Sequence, residues 1–187
     1  MTPRRSTLAA ILATGILATA CTKSENWEEE VKLSTGEVVV VTRTQTYERY
    51  SELGAPGDGW LRVEARLKFT PPIAGSAPVT WQADLHPLIL DLANGNPVIV
   101  AKADYCEQYY RHGHPIPPYM VFEFLDGQWK RSKLSATHAN AKANLLLNVE
   151  DRGDRSRVTI DFKSRSNSRP GLPINIRQID FSYRMVC

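Results

Sequence analysis

The chain has no apolar run long enough to cross a bilayer as a helix. The apolar stretch Leu8–Ala20 holds 13 residues, against the roughly 20 that a spanning helix needs. The common catalytic signatures are also missing. There is no G-x-S-x-G elbow, no glycine-rich phosphate loop, no H-E-x-x-H and no S-x-x-K with its partners, which removes the main sequence-legible hydrolase, nucleotide-binding and zinc-protease templates. No internal repeat or low-complexity tract occurs. Cysteine is scarce, with only Cys21, Cys106 and Cys187.

What is present begins with an export signal. Arg4 and Arg5 precede the apolar stretch, and the small residues Ala18-Thr19-Ala20 precede Cys21. That order is the grammar of a secretory signal peptide covering residues 1–20. It resembles a bacterial lipoprotein signal, which implies an acylated (palmitate-bearing) Cys21 as the first mature residue, with the lipid bilayer as partner. Family resemblance implies three acyl chains, and two or more hold a protein firmly on a membrane. Ala18-Thr19-Ala20 also reads as an A-x-A site for ordinary signal peptidase, which would release a free periplasmic protein. The cysteine directly behind the site favours lipidation. Thr22, where an aspartate would favour inner-membrane retention, points to the outer membrane with the domain facing the periplasm. Residues 22–26 read as a short tether reaching about 17 Å when extended, and residues 27–187 as one β-rich domain.

The segment from Cys21 onward has 167 residues, enough for one domain with a core. Its charge is divided along the chain: residues 21–129 carry 9 Lys/Arg and 15 Asp/Glu, and residues 130–187 carry 12 Lys/Arg and 5 Asp/Glu. A basic face for anionic lipid or an acidic partner is one reading. Pairing of the acidic and basic segments within the fold is the other, and the favoured one. Nucleic acid is not expected as a partner of an exported chain. With Cys21 assigned to lipid, Cys106 and Cys187 read as a disulfide in an oxidising compartment, against the alternative of two buried thiols.

The pattern predicts an all-β fold, a mainly antiparallel sandwich or curved sheet, with one short helix near 135–144. Alternation marks strands at 27–33, 61–69 and 79–85, and Ser34-Thr35-Gly36 turns the chain into Val38–Val41. Asn94-Gly95 and Asp126-Gly127 sit between apolar runs as hairpin turns. Strands are also expected at 145–150, 157–162 and 179–187, the last with Cys187 pointing inward. Ser135–Asn144 is alanine-rich with Ser135 as a helix N-cap.

The densest candidate site is Tyr105–Tyr119, read as a long loop between strands. It offers Tyr105, Tyr109, Tyr110, Arg111, His112, His114 and Tyr119, aromatic contact area with hydrogen-bonding heads, stiffened by prolines and stapled by Cys106. A purely structural loop is the competing reading. His112 and His114 share a face of an extended chain, but a zinc site needs a third protein ligand; no metal, cofactor or catalytic residue is assigned. Trp27, Trp60, Trp81 and Trp129 could form a sugar platform, though core and strand-end positions suit them better.

Two stretches carry a wider resemblance: Trp27-x-Glu29-Glu30-Val31-x-Leu33-x-x-Gly36, and later Pro97-Val98-Ile99-Val100, Cys106, Pro117-Pro118-Tyr119 and Trp129. They are similar to small lipoproteins of Gram-negative bacteria without an assigned activity. The resemblance implies a lipid-anchored envelope protein and transfers no catalytic residue. The expected role is a non-catalytic binding or accessory module with an envelope protein or glycan as partner. A periplasmic hydrolase of envelope glycan is the first alternative, since its carboxylates come from distant strands and leave no motif. An inhibitor or immunity-type lipoprotein is the second.

Overall fold

Side-chain alternation builds the first layer. The computed structural model describes residues 21–51 and 58–187; the signal segment 1–20 and most of the Gly54–Gly59 loop lie outside them. Thr22–Lys32 (β1), Val38–Ser51 (β2), Asp58–Phe69 (β3) and Val79–Ala83 (β4) form an antiparallel meander. Val31 lies opposite Val39, and Leu67 opposite Trp81. Because the strand period is two, one face collects Val31, Val39, Val41, Ala65, Leu67 and Trp81, all buried. The residues 22–26 expected as a tether are instead the first five of β1, paired with β2 from Thr22↔Glu48 onward.

His86–Ala93 (β5), Asn96–Lys102 (β6), Tyr119–Leu125 (β7) and Gln128–Ser132 (β8) form a second antiparallel sheet in sequence order. Asn94-Gly95 and Asp126-Gly127 close two of its hairpins with positive φ at both positions, 52° and 82° in the first and 54° and 78° in the second, as a type I′ turn requires. β5, β6 and the first half of β7 are buried on both sides. Leu90, Ile99, Ala101 and Met120 meet the first sheet in the main core. Leu88, Val98, Val100 and Val121 meet a covering layer that includes Leu147, Leu172, Ile176 and Ile179. Double burial explains why β5 and β6 read as continuous apolar runs.

The covering layer is where the structure departs most from the sequence pattern. The alanine-rich segment forms only one 3₁₀ turn, Ala136–His138, behind Ser135. Beyond it the chain is extended: Asn140 N–H donates to the Ile179 carbonyl, Ala143 N–H to the Arg177 carbonyl, and Ile179 N–H to the Ala141 carbonyl. Ala141 and Ala143, two apart, both pack on the second sheet, a strand-like spacing that outcompetes helix propensity. The expected strand at 157–162 shrinks to Arg157–Val158 (β9), paired in parallel with β1. Thr159 then caps a helix, accepting from Phe162 N–H with its hydroxyl. The expected strand at 145–150 is a buried irregular run, Leu145–Leu147, followed by a 3₁₀ turn at Val149–Arg152. No strand forms over 179–187: Phe181 and Val186 are exposed, and Cys187 lies at the surface rather than pointing inward.

Three α-helices complete the fold: Cys106–Arg111 (α1), Ile160–Asn167 (α2) and Ile174–Arg177 (α3). The segment read as one long loop, Tyr105–Tyr119, thus contains a helix. The acidic and basic parts of the chain pair with each other. Arg152 meets Glu25 at 3.2 Å, Arg157 meets Glu30 at 3.0 Å and Lys163 meets Glu29 at 3.3 Å. The C-terminal basic segment is therefore bound to the acidic first strand.

Cys106 and Cys187 form a disulfide with Cα atoms 5.6 Å apart and a sequence separation of 81. Chain-entropy reasoning for a loop of that length gives up to about 4.5 kcal/mol of stabilisation. Cys106→Ser is accordingly expected to lower the urea midpoint well below that of the oxidised protein and to abolish the effect of added reductant. An unchanged midpoint would show that the closure contributes nothing.

Candidate functional site

The Tyr105–Tyr119 segment is held chiefly by contacts with the rest of the fold. Tyr109 is buried in the main core. Tyr119, the first residue of β7, packs against the covering layer, where its hydroxyl donates to the Asn175 carbonyl at 2.8 Å and accepts from Asp180 N–H at 3.2 Å. Burial raises the Tyr119 phenol to about 12, and burial also raises that of Tyr105. His112 Nε2 lies 2.6 Å from Asp84 Oδ1, and Arg111 binds the other Asp84 oxygen while reaching Glu107 at 2.7 Å. Partial burial works against ionisation of Asp84, but His112 and Arg111 outweigh it and hold the carboxyl below its ordinary range. The His114 ring lies tilted against Tyr109 and edge-on to Tyr110, with ring centroids 5.5 and 4.7 Å away.

The two imidazoles therefore diverge, one to Asp84 and the other to the tyrosines. Of the seven candidate residues, Tyr109 and Tyr119 are interior supports, Arg111 and His112 are tied to Asp84, and Tyr105 is half-buried at the start of α1. Tyr110, 51% exposed, and His114 are left facing outward. The four tryptophans do not form a platform either. Trp27 and Trp81 are buried, Trp129 packs against Phe124, and Trp60 stands apart at 45% exposure.

Two ionic clusters were not legible in the sequence. The first surrounds Glu29, which has no exposed surface. Its carboxylate accepts from Trp27 Nε1 at 3.1 Å, Arg43 Nη1 at 3.0 Å, Leu146 N–H at 3.2 Å and Lys163 Nζ at 3.3 Å. Burial favours the neutral acid, yet Arg43 and Lys163 dominate and hold the carboxyl below its usual range. The Arg43 guanidinium also lies 4.8 Å from the Trp27 ring, a cation–π contact.

The second cluster joins the two sheets. Arg62 of β3 meets Asp104 at 2.8 Å, while His86 Nδ1 of β5 lies 3.1 Å from Asp104 and 3.3 Å from Arg62. Gln108 of α1 accepts from Asp104 N–H at 2.8 Å. Burial, reinforced by Arg62, lowers His86 to about 4 despite Asp104, so the ring is neutral at pH 7. The Asp104 carboxyl is held well below its ordinary range because Arg62, His86 and Lys102 outweigh its burial.

A third grouping is a cleft. Strand β1 ends at Lys32 beside the extended segment 142–144, and α2 and α3 form the other walls, enclosing roughly 520 Å³. Four cations line it, Lys32, Lys142, Lys163 and Arg177, and no carboxylate does. Asn144 is committed to the Lys32 carbonyl and to Leu90, and Asn167 to Leu145 and Leu147. Lys163 is held by Glu29 and by the Asn144 carbonyl at 2.5 Å. Among the described residues no acidic partner meets Lys32, Lys142 or Arg177, and the buried Arg177 Nε has no hydrogen-bond partner. The run of basic residues after 130 was a signal for this cleft, but its contributors are spread over 145 positions and converge only in the fold.

No family model matches the chain, and no curated protein or solved structure does.

Two outcomes follow from the ionic clusters. Glu29→Gln leaves Arg43 and Lys163 buried without a counter-charge, and should lower unfolding free energy by about 3–5 kcal/mol, read from urea unfolding at neutral pH. For His86, the folded state resists a proton that the unfolded chain accepts near pH 6.5. Its share of stability is thus present above about 6.5 and lost as pH falls towards about 4, a loss of about 3 kcal/mol. The depressed carboxyls of Glu29 and Asp104 add a further loss at lower pH. His86→Gln should flatten the first limb and leave the second; a pH profile identical to that of the parent protein would refute the assignment.

Proposed function

We propose that this chain is a lipid-anchored binding module of the bacterial cell envelope, carried on the outer membrane by acylated Cys21 and facing the periplasm. The observation that carries the reading is the sorting of the three cysteines. Cys106 and Cys187 are joined to each other, while Cys21 is exposed and free at the very start of β1. A lipid there would hold the domain against the bilayer without slack, because the sheet begins at the next residue.

The surroundings of Cys21 suit that position. Lys23 Nζ sits 5.0 Å from the ring centroids of both Tyr47 and Trp60. Trp60 and Tyr50 are nearly half exposed, on strands β3 and β2 where they run beside the first residues of β1. Tryptophan, tyrosine and lysine are the residues that favour the head-group region of a membrane. Among the described residues no helix is long and apolar enough to cross a membrane.

Binding rather than hydrolysis is favoured by the condition of the two His–Asp pairs. His86–Asp104 is locked by Arg62 between the sheets. His112–Asp84 is engaged by Arg111. Neither pair lines the cationic cleft.

The test is the intact mass of the protein extracted from membranes, with Cys21→Ser as control. The expected result is a mass increment of three acyl chains on a chain beginning at Cys21, together with transfer of Cys21→Ser to the soluble periplasmic fraction. An unmodified Cys21 in the exported protein would remove the anchor and the reading with it.

A further inference from the structure

We infer that the cleft between Lys32, Lys142, α2 and α3 is a binding site for a soluble organic anion, a phosphate or carboxylate joined to an apolar or ring-shaped body. Three observations converge. The wall carries four cations and no carboxylate, so anionic charge entering it meets no like charge from the lining. Lys163, the one cation with an internal counter-ion, is fixed by Glu29 and the Asn144 carbonyl. It therefore acts as a rigid back wall, and Lys32, Lys142 and Arg177 are left to meet a ligand. Arg177 contributes a fork suited to a planar or tetrahedral oxyanion, with its buried Nε lacking any partner in the protein.

The remainder of the lining says what accompanies the charge. Ile160, Ile174 and Ala143 contribute apolar surface beside the cations. A volume of roughly 520 Å³ lies within the range of small-molecule sites and exceeds what a bare phosphate fills. The amides of Asn144 and Asn167 are occupied by backbone groups, which leaves Gln178 as the lining amide that can add to charge and apolar contact.

Position selects between sources of such an anion. Cys21 precedes the first residue of β1 and Lys32 is its last. Ten strand steps separate Thr22 from Lys32, about 33 Å at the usual rise. Resting on the anchored reading above, the cleft then opens at the end of the domain away from its own bilayer. Its ligand comes from the periplasmic side, not from the head groups beneath.

The experiment is calorimetric titration of phenyl phosphate into the protein purified from the envelope and, separately, into Cys21→Ser. Inorganic phosphate and phenol serve as controls for the charged and apolar parts. Phenyl phosphate should bind both proteins equally, more tightly than inorganic phosphate, with affinity falling as salt is raised. Phenol should not bind. Lys142→Gln and Arg177→Gln, checked for an unchanged urea midpoint, should each weaken binding about tenfold or more, the loss of one charge-assisted hydrogen bond. No binding of phenyl phosphate at millimolar concentration and low salt would overturn the proposal, as would binding that both variants retain. Capture by phosphatidylglycerol vesicles that depends on Lys142 and Arg177, without phenyl phosphate binding, would overturn the soluble source. Equal binding by Cys21→Ser keeps the two readings separable: loss of the anchor leaves the cleft intact, and a dead cleft leaves the anchor intact.

Discussion

A fully buried carboxylate, Glu29, ties the N-terminal strand to everything that comes late in the chain. Its two oxygens take donors from Trp27 on its own strand, Arg43 on β2, the backbone of Leu146 and Lys163 on α2. A charge left unpaired in that position costs several kcal/mol. The covering layer can therefore close only in the arrangement that brings Leu146 and Lys163 to β1. Arg43, opposite Trp27 in the ladder, could not be buried there without the same carboxylate. The apolar core supplies most of the driving force for collapse, while this ionic junction sets where the C-terminal third is seated.

The same junction shapes the cleft. Lys163 faces Glu29 on one side and lines the cavity on the other, so α2 presents a fixed cationic wall instead of a mobile side chain. At the other end of β1, Lys23, Tyr47 and Trp60 cluster where the chain enters the sheet. The two ends of one strand thus have different chemistry, aromatic and lysine-bearing at the start, cationic and concave at the finish. The Arg62–Asp104–His86 cluster holds α1 against the two sheets through Gln108, and the disulfide ties its first residue to Cys187. That bracing turns Tyr109 and Tyr119 inward as supports and leaves Tyr110 and His114 at the surface.

The legible part of the fold is the part where local pattern and burial agree. The strands expected over 61–69 and 79–85, which form as Asp58–Phe69 and Val79–Ala83, the Asn94-Gly95 and Asp126-Gly127 turns and the Cys106–Cys187 pairing all follow from alternation, turn chemistry or cysteine count. The misread segments lie in the covering layer. Val158, Ile160 and Phe162 alternate like a strand, yet Thr159 followed by Asp161 is a helix start, a cap signal that outweighed a three-residue alternation. The alanines at 136–143 suit a helix by propensity, but Ala141 and Ala143 lie extended against the second sheet because that sheet had an apolar face to cover.

The sequence by itself determined the export signal pattern, the β class, most hairpins, the disulfide and the mutual pairing of acidic and basic segments. Each of these depends on neighbouring residues, on composition or on a small count of cysteines. Only the tertiary structure decided that Tyr109 and Tyr119 point inward, that His112 and His114 part, and that Arg43, Leu146 and Lys163 converge on Glu29. It alone brought Lys32, Lys142, Lys163 and Arg177 around one cavity. Those outcomes depend on which layer closes over which face, and that choice is made by contacts between residues from 28 to 134 positions apart.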